Sequence, residues 1–231
     1  MRDVREASLA SCTMGRHGSK LDELNIGLSK ALYLANENLD LYKIIALNAG
    51  FIESRGRSKN FFAHIRKLAL DAFVIDICKI YENGGKYELN TIPQILAHLQ
   101  KEQLKPLHPK PLETFIQEYI GDLSELDAVI ERLKGVLGTF IKKNKSHFKS
   151  FKYVRDKIIA HSEFAAYKDS LPSYDVMEKL LFFGIDFYSA IHRAYIGGVP
   201  VDYKRDKRMF HSARTLLKDL GLKDVKEDFD D

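Results

Sequence analysis

The segment Tyr-Val-Arg-Asp-Lys-Ile-Ile-Ala-His, residues 153–161, carries side chains suited to breaking a phosphodiester bond. His161 titrates near neutral pH and can accept or deliver a proton. Arg155 is permanently charged, and its forked guanidinium suits the equatorial oxygens of a phosphorane. RNA carries its own nucleophile, the 2′-OH, so such a pair needs no metal ion. Asp156 would orient one of the two side chains or offset the local positive charge.

The spacing of these residues leaves their arrangement open. On an ideal helix Arg155 and His161 lie about 120° apart, so the long arginine would bridge the gap or two chains would pool their motifs. The structural alternative is that Arg155 pairs with a carboxylate on a neighbouring helix and His161 is a polar residue near a helix end. Asp71 and Asp76 lie in the most apolar segment, where a carboxylate needs a partner such as Arg155. Asp76 is the favoured catalytic candidate because it falls in the row 69, 73, 76 and 80.

Basic residues surround this segment, seven of them between positions 142 and 157 against one acid. Phe148, Phe151 and Tyr153 are interleaved with them, and cations with nearby aromatic rings suit the phosphates and bases of single-stranded nucleic acid. The RNA-binding candidates are Lys149, Lys152, Tyr153 and Lys157. A second basic patch comprises Lys204, Arg205, Lys207 and Arg208, with Asp206 among them. Both patches are open to the alternative of a solvated helix face.

Motifs for other kinds of chemistry are missing. No two of the eight histidines are three or four residues apart, and HExxH, CxxC and calcium-loop patterns do not occur. GxxxxGK, GxGxxG and GxSxG patterns are also missing. We therefore expect neither a metal site nor a cofactor.

Composition predicts a soluble cytoplasmic protein. Cys12 and Cys78 are too few for a disulfide framework or a zinc site, which is typical of a reduced compartment. The lipoprotein-like residues 9–12 follow a charged start without an apolar core, so we expect no export. The longest clear apolar run, residues 180–185, is far too short to cross a membrane. The net charge of +4 is compatible with a polyanionic partner but does not indicate one.

The segments that must position these residues have helical spacing. Apolar residues recur every three or four positions and predict helices over 20–49, 61–82, 91–100, 112–144, 148–164, 172–196 and 203–220. Thr91 is the expected N-cap of the third helix, and glycine pairs at 84–85 and 197–198 end two others. The prediction is an all-α fold, a single helical bundle of six or seven helices over 20–221. Residues 1–19 would form a loose arm, and 222–231 an acidic tail that frays.

The motif in this context resembles the HEPN superfamily, whose signature is an arginine, a polar residue directly after it, and a histidine separated from the arginine by four to six residues. Five residues separate Arg155 from His161. The sequence RDKIIAH at residues 155–161 is most similar to the AbiU-type abortive-infection branch, as are residues 70–82 and 91–99. The resemblance covers most of residues 20–195.

The resemblance implies an all-helical bundle that forms homodimers, often with metal-independent ribonuclease activity and roles as toxins or phage-defence proteins. It also implies a cognate antitoxin and RNA as substrate. Many members have lost catalysis, so two hypotheses stand. The first is a metal-independent endoribonuclease with Arg155 and His161 in a polar groove at a two-fold dimer interface. The second is a non-catalytic HEPN-like helical module that binds a nucleotide or a protein partner.

Overall fold

The structure, a computed structural model, describes residues 20–54, 56, 58–83, 90–120, 129–159 and 171–228. This part of the chain contains nine α-helices and no strand, so the all-α prediction is confirmed. The helices are α1 (Lys20–Leu47), α2 (Ala49–Ser54), α3 (Lys59–Tyr81), α4 (Ile92–Lys101), α5 (Lys110–Ile120), α6 (Val129–Lys143), α7 (Lys145–Tyr153), α8 (Tyr174–Ile191) and α9 (Arg208–Asp219). Two π-helical turns extend α7 (Val154–Ile159) and α8 (His192–Ile196). None of the described helices is long and apolar enough to span a bilayer.

More helices are described than the expected six or seven, because α2 extends beyond the predicted end of the first helix and one predicted segment corresponds to two described helices. The helix predicted over 112–144 corresponds to α5 and α6, and residues 121–128 between them lie outside the described part. The helix predicted from position 148 begins earlier, at Lys145, so that Asn144 alone separates it from α6. The Asn144 side chain donates to the Phe140 carbonyl at 2.9 Å, which provides a side-chain donor for a carbonyl in the last turn of α6.

The centre of the bundle is the pair α1 and α3. Leu28 and Leu32 of α1, and Phe73 and Ile77 of α3, are completely buried. Each such side chain contributes about 1.5–3 kcal/mol through removal of apolar surface from water. Since α3 also packs on α4, α7 and α8, it is buried on several sides, as its nearly continuous apolar sequence predicts.

The predicted start of α4 is confirmed by its cap. The Thr91 hydroxyl accepts a hydrogen bond from the Gln94 backbone N–H at 3.2 Å, and Pro93 lies in the first turn. Ile95, Leu96 and Leu99 then pack into the core. The cap satisfies one of the backbone donors that the first turn of a helix leaves free.

The last helix starts later than predicted, at Arg208 rather than Tyr203. Tyr203 is buried and its hydroxyl hydrogen-bonds Ser29 of α1, so residues 203–205 form a turn instead of helix. The Asp206 carboxylate accepts from the Arg208 backbone N–H at 3.3 Å, where α9 begins. Tertiary contacts to α1 therefore outweigh the helical periodicity of these residues.

The acidic segment after Gly221 contacts the core over its described length, which ends at Asp228. Asn48 at the end of α1 donates to the Lys226 carbonyl at 3.0 Å and accepts from the Lys226 N–H at 2.9 Å. Lys43 pairs with Asp228 at 2.6 Å. Leu222 and Val225 pack on a second apolar cluster formed mainly by α1, α2, α3 and α9. Residues 222–228 therefore make defined contacts with the core, and fraying of the acidic tail stays a prediction.

Candidate functional site

Aromatic packing fixes the end of α3 against α7. The Phe73 ring meets Phe151 edge-on at 6.0 Å, and Tyr81 meets Phe148 at 4.9 Å. The Tyr81 hydroxyl also donates to the Leu180 carbonyl of α8 at 2.5 Å. Edge-to-face pairs contribute about 0.5–1.5 kcal/mol beyond area burial. The last residues of α3 therefore have a fixed place beside the π-helical turn that follows α7.

Arg155 lies in that π-helical turn and contacts two carboxylates. Its Nη1 is 2.6 Å from Oε1 of Glu82, the residue that caps the C-terminus of α3. Its Nε donates to Oδ1 of Asp156 at 2.8 Å. The Arg155 side chain is 24% exposed, so solvent reaches the guanidinium while it is held. The buried Val154 anchors the turn directly before Arg155. A π-helical turn is rare and often occurs at functional sites.

The electrostatic surroundings keep this arginine charged. Desolvation favours the neutral form, but hydrogen bonds to Asp156 and Glu82 outweigh it and raise the pKa of Arg155 above its ordinary value. Nearby Cys78 is buried, and desolvation raises its pKa to about 12 although Arg155 opposes the shift. Cys78 is therefore an uncharged core thiol, as its apolar surroundings in the sequence predict.

Asp76 is not the carboxylate that pairs with Arg155. It is nearly buried, and Lys79 Nζ lies 3.7 Å from its Oδ1. Burial raises the pKa of Asp76, with Lys79 opposing. Asp76 precedes Glu82 by six residues, which places the two about 120° apart and about 9 Å apart along α3. Asp71 pairs with Lys67 at 2.6 Å, and a catalytic role for Asp76 stays a prediction.

Three of the four RNA-binding candidates are exposed on α7. The Lys149 and Lys152 side chains point to solvent, and Tyr153 is 45% exposed. Within the described residues neither lysine has a carboxylate partner. Lys157 lies in the π-helical turn, and its side chain is outside the described part. The other two interleaved aromatics have a different role, since Phe151 is buried in the core and Phe148 packs against it. Tyr153 alone of these three rings is therefore exposed enough to stack on a base.

The second basic patch is neutralised. Each of its four cations pairs with a carboxylate: Lys204 with Asp186 (2.6 Å), Arg205 with Asp202 (3.2 Å), Lys207 with Asp40 (2.7 Å) and Arg208 with Asp206 (2.5 Å). Two of these pairs attach the segment before α9 to α1 and α8. The carboxylates therefore explain the four cations, and no nucleic-acid ligand is needed to explain them. The structural alternative therefore holds for this patch.

His161 lies outside the described residues, so its place beside Arg155 stays a prediction from the sequence. No group of three His, Cys, Asp or Glu side chains that could hold a metal ion occurs in the part of the chain that the structure describes.

Glu82 is the contact that sequence analysis missed. Its position directly before Asn83-Gly84-Gly85 marked it as the end of a helix, and nothing local indicated its partner. Only the packing of α3 on α7 brings it to Arg155.

The sequence matches the AbiU2 family of HEPN domains over residues 18–216, which is most of the chain. No curated protein and no solved structure gave a significant match. The matched region includes α1 to α8, the Arg155 turn and most of α9. The chain therefore belongs to the HEPN AbiU2 family, a module of the abortive-infection type.

Proposed function

We propose that this chain is a metal-independent endoribonuclease that acts as a toxin or phage-defence effector. One observation carries the proposal. Arg155 is part-exposed and fixed by carboxylates, and the adjoining helix α7 exposes Lys149 and Lys152 close to it in the chain. The lysines would attract the RNA backbone, and Arg155 would face the phosphate that reacts. Tyr153 would stack on a neighbouring base.

The reaction is a transesterification at phosphorus. The 2′-oxygen attacks, the bond from phosphorus to O5′ breaks, and a 2′,3′-cyclic phosphate and a 5′-hydroxyl result. One group must accept the 2′-OH proton and another must donate a proton to O5′. His161 is the proposed proton-transfer group, and Arg155 the group that stabilises charge on the phosphorane oxygens.

A homodimer would complete this chemistry. One chain offers a single histidine in the motif, whereas two chains related by a two-fold axis offer two histidines and two arginines. We propose that the two copies of residues 153–161 face one another across that axis. A cognate antitoxin would then restrain the dimer, and its gene is expected beside this one.

A non-catalytic module is the second candidate, and one observation favours it. Arg155 is engaged by Glu82 and Asp156, which is how a structural arginine between two elements also behaves. The surface around Arg155 would then bind a nucleotide or a protein partner without turnover.

Incubation of purified protein with RNA in EDTA tests the proposal. Cleavage with 2′,3′-cyclic phosphate ends, abolished in His161→Ala with an unchanged circular dichroism spectrum, is the expected result. An intact RNA substrate would reject the ribonuclease. Saturable nucleotide binding without cleavage would identify the second candidate instead.

A further inference from the structure

Among the described residues, Glu82 is the carboxylate outside residues 153–161 that contacts Arg155. Its carboxylate comes from a different helix, and its backbone is held because its N–H donates to the Cys78 carbonyl at 3.0 Å. The preceding residue, Tyr81, is buried and anchored to Leu180. The base of the Glu82 side chain is therefore fixed by the core rather than by the surface.

Two carboxylates hold two different nitrogens of one guanidinium. Asp156 accepts from Nε, and Glu82 lies against Nη1. Since the guanidinium is planar, contacts at two nitrogens define the orientation of the whole group. Within the described residues no hydrogen bond from the third nitrogen, Nη2, to a carboxylate is found, which makes Nη2 the edge of the guanidinium that a phosphate oxygen would approach.

The net charge of this arrangement indicates that the two carboxylates orient Arg155 and that the group as a whole does not attract RNA. One guanidinium between two carboxylates carries a local net charge of −1, which does not by itself collect an anion. In the proposed function attraction would come from the exposed Lys149 and Lys152. Donors that are already in place cost no reorganisation in the transition state, and this is where a fixed arginine has most effect.

We propose that Glu82 is a positioning residue for catalysis, which holds the Arg155 guanidinium so that Nη2 faces the reacting phosphate. The inference rests on the proposed ribonuclease function. Glu82 touches neither substrate nor reacting atoms, and acts only through Arg155. Its amide counterpart, glutamine, retains an oxygen that accepts from Nη1 and should retain most of the effect.

The test compares steady-state cleavage of a fluorescent RNA in EDTA by the wild type, Glu82→Ala and Glu82→Gln. We expect Glu82→Ala to lower kcat on the order of tenfold to a hundredfold, because small misplacements of a catalytic group have effects of that size. KM should stay within about twofold, since the lysines on α7 supply the binding. Glu82→Gln should recover most of kcat.

The matched control is Asp186→Ala. Asp186 pairs with Lys204 at 2.6 Å, the same length as the Arg155–Glu82 pair, with about one third of each side chain exposed. It joins two elements elsewhere in the fold, so it should lower stability similarly and leave kcat unchanged. If kcat falls equally in Asp186→Ala, the effect of Glu82→Ala is explained by lost stability, and the proposal is overturned.

Other outcomes also test the positioning role of Glu82. Wild-type kcat in Glu82→Ala overturns the positioning role, and faster cleavage would mean that Glu82 competes with phosphate for Arg155. If the wild type leaves RNA intact, the ribonuclease function fails, and the orientation of Arg155 is judged by nuclear magnetic resonance. Separate Nη1 and Nη2 signals in the wild type and Glu82→Gln, which report slow rotation of the guanidinium, with averaged signals in Glu82→Ala, support the positioning. Separate signals that persist in Glu82→Ala overturn it.

Discussion

Replacing Arg155 with alanine should separate the effect on cleavage from the effect on folding. The variant removes a part-exposed ion pair with Glu82 and leaves a carboxylate that is still 36% exposed. Since water can solvate that carboxylate, the free energy of unfolding should fall by only about 1 kcal/mol. For a chain of this size that corresponds to a Tm lower by about 2–4 °C. Loss of a preorganised charge on the phosphorane should instead lower kcat by about 10²–10³.

The assay measures kcat on RNA in EDTA and Tm by circular dichroism for each variant. Lys204→Ala is the matched control, because it breaks an ion pair of the same length that joins the segment before α9 to α8 and includes no residue of the motif. We expect the two variants to lose similar stability and only Arg155→Ala to lose cleavage. The reasoning is refuted if Arg155→Ala cleaves within a few-fold of the wild type, or if both variants lose activity in proportion to stability.

Three further predictions follow from charge and burial. Lys149→Glu with Lys152→Glu should weaken RNA binding and flatten its dependence on salt, with a slope smaller by about one for each phosphate that is no longer neutralised. Burial raises the pKa of Cys78 to about 12, so about one thiol in ten thousand is ionised at pH 8, and iodoacetamide should label it slowly in the native state. Lys207→Ala leaves the buried Asp40 carboxylate without its cation and should lower the free energy of unfolding by about 3 kcal/mol. Because burial raises the pKa of Asp40, this loss should be complete above the raised pKa and shrink as the pH falls through it.

Each of these has a direct check. For the lysines, binding is titrated at several salt concentrations beside Arg205→Glu, whose cation is already paired with Asp202 and whose replacement should not alter the slope. For Cys78, peptide mass spectrometry in buffer and in urea reports the label, and rapid native labelling would contradict the burial. For Lys207, urea unfolding at neutral and acidic pH is compared with the wild type. A deficit independent of pH would show that Asp40 is not its source.

The helical architecture could be predicted because its signals are local. Apolar residues repeat every three or four positions through α1 and α3, and Thr91 and the glycine pair at 197–198 mark ends that the structure reproduces. The start of α9 could not be predicted in the same way. Residues 203–207 have helical spacing, but Tyr203 and Lys207 contact α1, and these tertiary contacts decide their conformation.

The sequence by itself determined most of the helices and the family resemblance, and it offered Arg155 as one possible partner of Asp156. Only the tertiary structure decided which carboxylate on another element meets Arg155, that Phe151 is core while Tyr153 is exposed, and that the second basic patch is neutralised. The physical reason is distance along the chain. The partners Lys207 and Asp40 are 167 residues apart, and no local pattern encodes a contact that forms only when whole helices pack.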